Sequence, residues 1–479
     1  MRRREFIKKT AVGTTAYAGA SLAGFAMPMP AHAYGGGVDV EEGLYYVDDD
    51  RAKKRNVIPA IRPEILNEPR AVFLVETHVQ SSRDAKGNFM DARPELEDIG
   101  KKLISQVFVK GTKKGGKTFI LPNFTTVPEK VASPVVGIIT SPDFIAGFVE
   151  GMREIGNTNI IAGARGTSVD NHRTTGIYEI FDKHRIKLIE ANYPRFALYR
   201  KEELNWNKVP GEKMVWNKIP SYRPIGDKDC FFINMPKLKN HNLGLTTLSI
   251  KNLQGAVPSG YGHYCNRWAM MELLVKRSYN IDFKNFEKHY YENVEAAFLK
   301  HVSQGTEHWE EAIKSYDQYQ KKGGWEAFKK VKGNSDDLKE FMSGIDGPMM
   351  WDEQWSQRAV DSAKAIVPTI NIIEGVIGRD GSGFDTGTDQ LSNVIVVGLS
   401  IAEVDAVGSY IMGHDPKKLP YTRVAKERGL GENDPSKIKI YWIRQNGTIE
   451  PLKNLSEIKR TPLGVNYHTW SETGERLFW

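Results

Sequence analysis

Thr118-Phe119-Ile120-Leu121, then Ser141-Pro142-Asp143-Phe144-Ile145-Ala146-Gly147-Phe148-Val149-Glu150-Gly151-Met152-Arg153-Glu154-Ile155, then Asn159-Ile160-Ile161-Ala162, reads as a strand, a helix and a strand. The outer runs are short and apolar, the pattern of strands buried on both faces. The middle run places its apolar residues at helical spacing. Ser141-Pro142 marks its start, because a proline in the first turn loses no helical hydrogen bond. The same alternation extends outward. Ala71-Val72-Phe73-Leu74-Val75 is an upstream strand, and Pro94 to Val109 is a helix with Leu96, Ile99, Leu103, Ile104 and Val107 on one side. Gly176 to His184 is a helix and Ile186 to Glu190 a strand. Strands follow at Phe231–Met235, Ile370–Ile373, Val394–Val397 and Ile438–Ile443, with helices at Glu403–Met412 and Tyr421–Arg428. Alternation of this kind predicts an α/β fold, a mainly parallel sheet with helices on both faces.

The organisation expected from this pattern has five parts. Residues 1–33 are an export signal and 34–70 an extended lead-in, with Gly35-Gly36-Gly37 and Asp48-Asp49-Asp50. Residues 71–267 form the first part of the α/β domain and 366–479 the second part with a C-terminal tail. Between them, 268–365 is charged, carries Trp309, Trp325, Trp351 and Trp355, and reads as a helical insertion.

The export signal rests on three features in order. Arg3-Arg4 followed by Phe6-Ile7-Lys8 fits the twin-arginine pattern, with Arg2 where Ser or Thr is more usual. Ala11 to Phe25 is too short and too weakly apolar to span a bilayer. Ala31-His32-Ala33 fits a small-x-small cleavage site, which puts the mature start at Tyr34. The expected location is therefore outside the cytoplasm, in the periplasm, with the twin-arginine translocase as partner during export. The signal also accounts for most of the charge. The chain has 66 basic and 59 acidic residues, a net of +7, of which Arg2, Arg3, Arg4, Lys8, Lys9 and Glu5 contribute +4. The +3 left is no nucleic-acid signature. No apolar run is long enough for a transmembrane helix.

Two cysteines, Cys230 and Cys265, form no C-x-x-C and no set of four, so a protein-ligated iron–sulfur cluster of the usual kind is excluded. In an oxidising compartment the two can pair; otherwise they are two small buried residues.

Chemistry concentrates after Phe231–Met235, where Pro236 ends the strand. Lys237, Lys239 and His241 then occupy alternate positions, so an extended backbone points all three one way. Two ammonium groups and an imidazole on one face make a site for a carboxylate or phosphate. Lys251 and Asn252 are candidates to return to it. The alternative is that these lysines are simply solvated. Gly375-Val376-Ile377-Gly378-Arg379-Asp380-Gly381-Ser382-Gly383 follows a strand and reads as a glycine-rich loop whose backbone N–H groups, with Asp380, approach an anion, or else as a plain turn. Asn123, Lys237 and Glu374 all fall just beyond predicted strands, where ligands sit in parallel sheets. No phosphate-loop motif and no convincing G-x-G-x-x-G occurs, so ATP and NAD are not supported. His241, His263 and Cys265 are candidate ligands for a transition metal, zinc, copper or nickel, with Glu76-Thr77-His78 a weaker set; lone histidines are otherwise structural.

The segment Pro236-Lys237-Leu238-Lys239-Asn240-His241, followed by Ser249-Ile250-Lys251-Asn252-Leu253-Gln254-Gly255, resembles the domain-of-unknown-function family numbered 362. Leu121-Pro122-Asn123 is a second match. Glu374-Gly375, Asp405-Ala406-Val407, Met412-Gly413-His414-Asp415-Pro416 and Gly429-Leu430-Gly431 follow in family order. The resemblance spans roughly residues 71–441, broken by the insertion, and implies no particular reaction. Some relatives carry ferredoxin-like cysteines, which this chain lacks. Relatives often place a Glu near a glycine after the third strand, where this chain has Arg165 beside Gly166.

The function expected is an enzyme on a small anionic substrate. Asn123, Lys237, Lys239, Lys251, Asn252, Gly375, Gly378 and Asp380 would bind it, with His241 or Glu374 as acid or base. Its cofactor is unknown. A metal or acquired cofactor would suit redox or isomerase chemistry, and export of folded protein favours such a cargo modestly. The alternative is a non-catalytic ligand- or metal-binding protein of the cell envelope. A third reading makes the tryptophan-rich insertion an interaction module, though tryptophans at helical spacing are more often core.

Overall fold

The computed structural model describes residues 56–83, 89–125, 137–164, 175–190, 204–211, 218–241, 244–257, 321–323, 327, 330, 347–381 and 387–464. Its main sheet has eleven strands. In chain order they are β1 (Val72–Glu76), β2 (Lys117–Pro122), β3 (Ile160–Ala164), β4 (Lys187–Glu190), β5 (Cys230–Met235), β6 (Lys237–His241), β7 (Leu245–Thr246), β8 (Ile370–Arg379), β9 (Asp389–Gly398), β10 (Ile440–Ile443) and β11 (Ile449–Pro451). The helices that matter here are α1 (Arg93–Val107), α2 (Pro142–Glu154), α3 (Ile177–Lys183), α4 (Ser249–Asn252), α5 (Gly347–Ala365), α6 (Ile401–Ile411) and α7 (Pro420–Glu427).

The spatial order is β11-β10-β1-β9-β8-β5-β2-β3-β4, with β6 beside β8 and β7 beside β6. From β8 through β5, β2 and β3 to β4 every neighbour is parallel. β9 runs antiparallel to both β8 and β1, so the sheet is mixed, with a parallel half and an antiparallel centre. The expected α/β fold is present. Its parallel half contains β2–α2–β3, the succession read in Thr118 to Ala162, and the crossover helix follows from the chain's need to return to the same sheet edge.

Strand alternation sorts the core onto two faces. Phe73 and Val75 of β1 point into one apolar cluster, Val72 and Leu74 into the other. The larger cluster takes up Leu96, Leu103, Val107, Phe144, Phe148 and Met152 from α1 and α2. Those two helices lie close together. A side chain at Gly147 would put its Cβ 1.8 Å from the Glu97 carbonyl oxygen, which explains a residue of poor helix propensity in mid-helix. The smaller cluster is closed by Val404, Val407 and Ile411 of α6 over Leu238 and Ile373.

Packing begins ahead of the first strand. Asn56 is buried and its amide joins Gly115 and Gly116 to Thr158 and Asn159, while Ile61 and Ile65 are in the core. Polar composition hid this, because one buried asparagine satisfies four backbone groups. Of the segment 268–365, read from sequence as a helical insertion, α5 is described. Trp355 is buried with its ring edge-on to Tyr421 of α7, centroids 5.5 Å apart, so this tryptophan serves the core. Among the described residues, no helix is long and apolar enough to cross a membrane. The segment 1–33 read as an export signal, Trp309, Trp325, Arg165, His263 and Cys265 lie outside the described residues.

Candidate functional site

β5 and β6 are one extended line interrupted at Pro236. β5 pairs with the start of β8 through Ile233 and Asn234, and β6 pairs with its later half through Lys237 and Lys239. The register slips between Lys237 and Lys239, and β8 is itself irregular against β9 between Gly375 and Ile377. Irregularities of this kind re-aim side chains near the end of a sheet. Leu238 turns into the smaller apolar cluster. Lys237, Lys239 and His241 turn the other way and are all buried, 0%, 2% and 7% exposed. The solvated alternative for the two strand lysines is thereby removed.

Each of the three has a distinct partner. The Lys237 ammonium donates to Glu374 Oε2, and the pair is wholly buried. The same oxygen accepts from the Ser141 backbone N–H at 3.3 Å, at the start of α2, where unpaired N–H groups favour negative charge. Glu374 Oε1 is buried with no hydrogen-bond partner among the described residues. Lys239 Nζ donates to the Ile138 carbonyl oxygen at 2.6 Å, and no carboxylate among the described residues pairs with it. Burial, reinforced by the charges of Lys251, Arg379 and Lys237, holds its pKa well below the ordinary lysine range. His241 Nδ1 accepts from the Gly244 N–H at 3.3 Å, which leaves the ring proton on Nε2. Burial and the neighbouring Lys251 and Lys239 charges hold this imidazole well below its usual pKa, hence neutral.

Two members were not singled out as functional from sequence. Arg379, at the end of β8, donates to Asp389 Oδ1 at 2.8 Å, and Asp389 Oδ2 accepts from the Gly137 N–H at 3.2 Å. Burial pushes the Asp389 carboxyl up against the opposing pull of Arg379. Residues 137–141 thus lie across the sheet end, holding Asp389, Lys239 and Glu374 through backbone groups. No local pattern announces a pair whose partners sit on neighbouring antiparallel strands.

The asparagines form a relay beneath the lysines. Asn123 Nδ2 donates to Asn252 Oδ1 at 3.2 Å; Asn252 Nδ2 donates to Asn234 Oδ1 at 2.8 Å and to the Leu121 carbonyl at 2.9 Å. Asn234 Nδ2 continues to Asn371 Oδ1 at 2.9 Å. Asn123 and Asn252 therefore do come to the same sheet end, and Asn123 Oδ1 is buried without a partner among the described residues. Lys251, half-buried on α4, donates to Gln254 Oε1 at 3.3 Å.

The glycine-rich loop is corrected. β8 continues through Arg379, so Gly375 and Gly378 are strand residues. A Cβ at Gly375 would lie 2.7 Å from the Val394 carbonyl oxygen and one at Gly378 3.0 Å from that of Leu238. Strand packing accounts for both, so neither belongs to a loop or a turn. Asp380 faces its own hairpin, accepting from Gln390 Nε2 at 2.9 Å and from the Thr388 N–H. Of the metal candidates only His241 and His78 with Glu76 are described, and no three His, Cys, Asp or Glu side chains converge among the described residues. Burial, with Asp227 and Asp229 nearby, pushes the thiol of the half-buried Cys230 up to about 12, which disfavours the reactive thiolate.

Residues 119–410 match the domain of unknown function DUF362. No curated protein and no solved structure matches the chain. The match covers more than half of the 479 residues and takes in Asn123, the lysine strand, α4, Glu374 and Asp405, and by it the chain belongs to the DUF362 family.

Proposed function

We propose that this chain binds a small dianion at the carboxyl ends of β2, β5–β6 and β8, as the substrate of an enzyme or the cargo of a binding protein. The observation that carries this reading is Lys239, an ammonium group buried among Lys237, Lys251 and Arg379 with a carbonyl oxygen as its partner among the described residues. Four cationic side chains meet two carboxylates, Glu374 and Asp389, both of which have partners of their own. Buried charge without a counter-charge is costly, and two negative charges on a ligand offset the surplus. The unpartnered Asn123 Oδ1 and Glu374 Oε1 accept hydroxyl or N–H donors on the same ligand. His241, neutral with its proton on Nε2, is a hydrogen-bond donor in this state. Glu374 is the acid–base candidate for an enzyme of redox or isomerase type, with any metal or acquired cofactor supplying the harder step.

The test is calorimetric titration of the purified chain with oxalate, sulfate and phosphate, each in two buffers of different protonation enthalpy. Saturable binding with net proton uptake at mildly alkaline pH is expected, because an anion favours the charged form of Lys239. Failure of all three to bind, with no rise in thermal stability, overturns the proposal.

The proposal includes export. Tyr34 onward would be the working protein, delivered folded to the periplasm by the twin-arginine route. Changing Arg3 and Arg4 to Lys should retain the chain in the cytoplasm on cell fractionation. Unchanged export contradicts the twin-arginine reading.

A further inference from the structure

We propose that Asp405 is the positioning residue of the anion site, holding in register the short helix that presents Lys251 and Asn252. Asp405 lies on α6 and is wholly buried. Its Oδ1 accepts from the Ser249 N–H at 2.6 Å and its Oδ2 from the Ile250 N–H at 2.9 Å. These are N–H groups of the first turn of α4, which has no partners of its own for them in a helix of four residues. No cation among the described residues pairs with Asp405. The buried carboxylate thus takes its hydrogen bonds from Ser249 and Ile250 at the start of α4, and Asn252 from the same helix continues into Asn234 and Asn123.

The environment makes this hold sensitive to protons. Burial pushes the Asp405 carboxyl up to about 7, against the pull of the two N–H groups. A protonated carboxyl keeps one acceptor oxygen and presents an O–H where the second N–H needs an acceptor. Of the titratable groups, the phenol of Tyr421 on α7 faces it; burial and the Asp405 charge hold that phenol well above its usual range. Tyr421 in turn bonds Thr246 Oγ1 at 2.5 Å, on the strand paired with β6. Lys251 lies on α4 itself and points its ammonium to Gln254. The two N–H groups favour the carboxylate, so a release of α4 that leaves Asp405 buried takes up a proton, and as pH falls through about 7 α4 loses one of its two anchors.

This inference rests on the anion reading only through Lys251 and Asn252, and two measurements separate them. The first is hydrogen exchange of the 249–252 amides in the full chain, with no ligand. Wild type should lose protection as pH falls through neutrality, after correction for intrinsic exchange, and Asp405→Asn should show the low protection throughout. Equal, pH-independent protection in both overturns the proposal, whether or not any anion binds. The second is affinity for oxalate, which stays a dianion over this range. Wild type should weaken several-fold toward acid pH, and Asp405→Asn should bind weakly at every pH and lack that limb. Loosened amides with an unchanged oxalate affinity overturn the link to the site while leaving the anion reading intact. Asp405→Glu, which keeps the carboxylate, should restore part of the protection and separates loss of the anchor from general misfolding.

Discussion

Lys237→Met should lower the stability of the fold by about 3–5 kcal/mol, the cost of leaving one member of a buried ion pair alone. Both side chains are fully buried, and Glu374 would keep only the Ser141 N–H on Oε2 and nothing on Oε1. With the ammonium gone the buried carboxylate loses its counter-charge, which is unfavourable. The double variant Lys237→Met/Glu374→Met should recover most of the loss, because two apolar side chains of similar length remove the desolvation cost on both sides. Equilibrium unfolding in urea measures both. A single variant that loses less than about 1 kcal/mol would mean that the pair is solvated or absent.

Lys239→Met should have the opposite effect on stability and the larger effect on binding. Lys239 has a carbonyl oxygen and three cations around it, and its pKa is held down by burial and by those charges. The folded state therefore binds this proton less readily than the unfolded chain. The resulting cost is present in full below the folded pKa and disappears as pH rises to the ordinary lysine value. Replacing Lys239 by methionine removes it, so the melting temperature should rise, more at neutral than at alkaline pH. Oxalate affinity should fall tenfold or more, the equivalent of the ~1.5–3 kcal/mol carried by a hydrogen bond to a charged group. A residue kept at the expense of stability and needed for binding is the pattern of a functional site. A less stable variant that binds oxalate as wild type does would show that Lys239 is structural.

Much of the fold is visible in local pattern. The apolar runs at Val72–Val75, Thr118–Leu121 and Phe231–Met235 became strands, and the helical stripe with its Ser141-Pro142 start became α2. Alternation also placed Lys237, Lys239 and His241 on one face, which holds because β6 stays extended past Pro236. Gly375 and Gly378 misled for a physical reason. Glycine marks turns in sequence, yet here it admits Leu238 and the Val394 carbonyl into the middle of a strand. The pairing of Lys237 with Glu374 spans 137 positions and that of Arg379 with Asp389 crosses a hairpin, so neither leaves a local signal. Asp405 sat in a recognised motif, but its task depends on where α6 meets α4, a matter of tertiary packing alone.

The proposed binding site depends on an anion reaching Lys239. Nitrogen NMR of the lysine side chains observes that contact. The Lys239 Nζ resonance is identified by its loss in Lys239→Met, and oxalate is then added to the wild-type chain at constant pH and ionic strength. The anion site predicts that this resonance moves and saturates while surface lysines stay in place. A Lys239 resonance that does not move as oxalate is raised to saturating excess would contradict it.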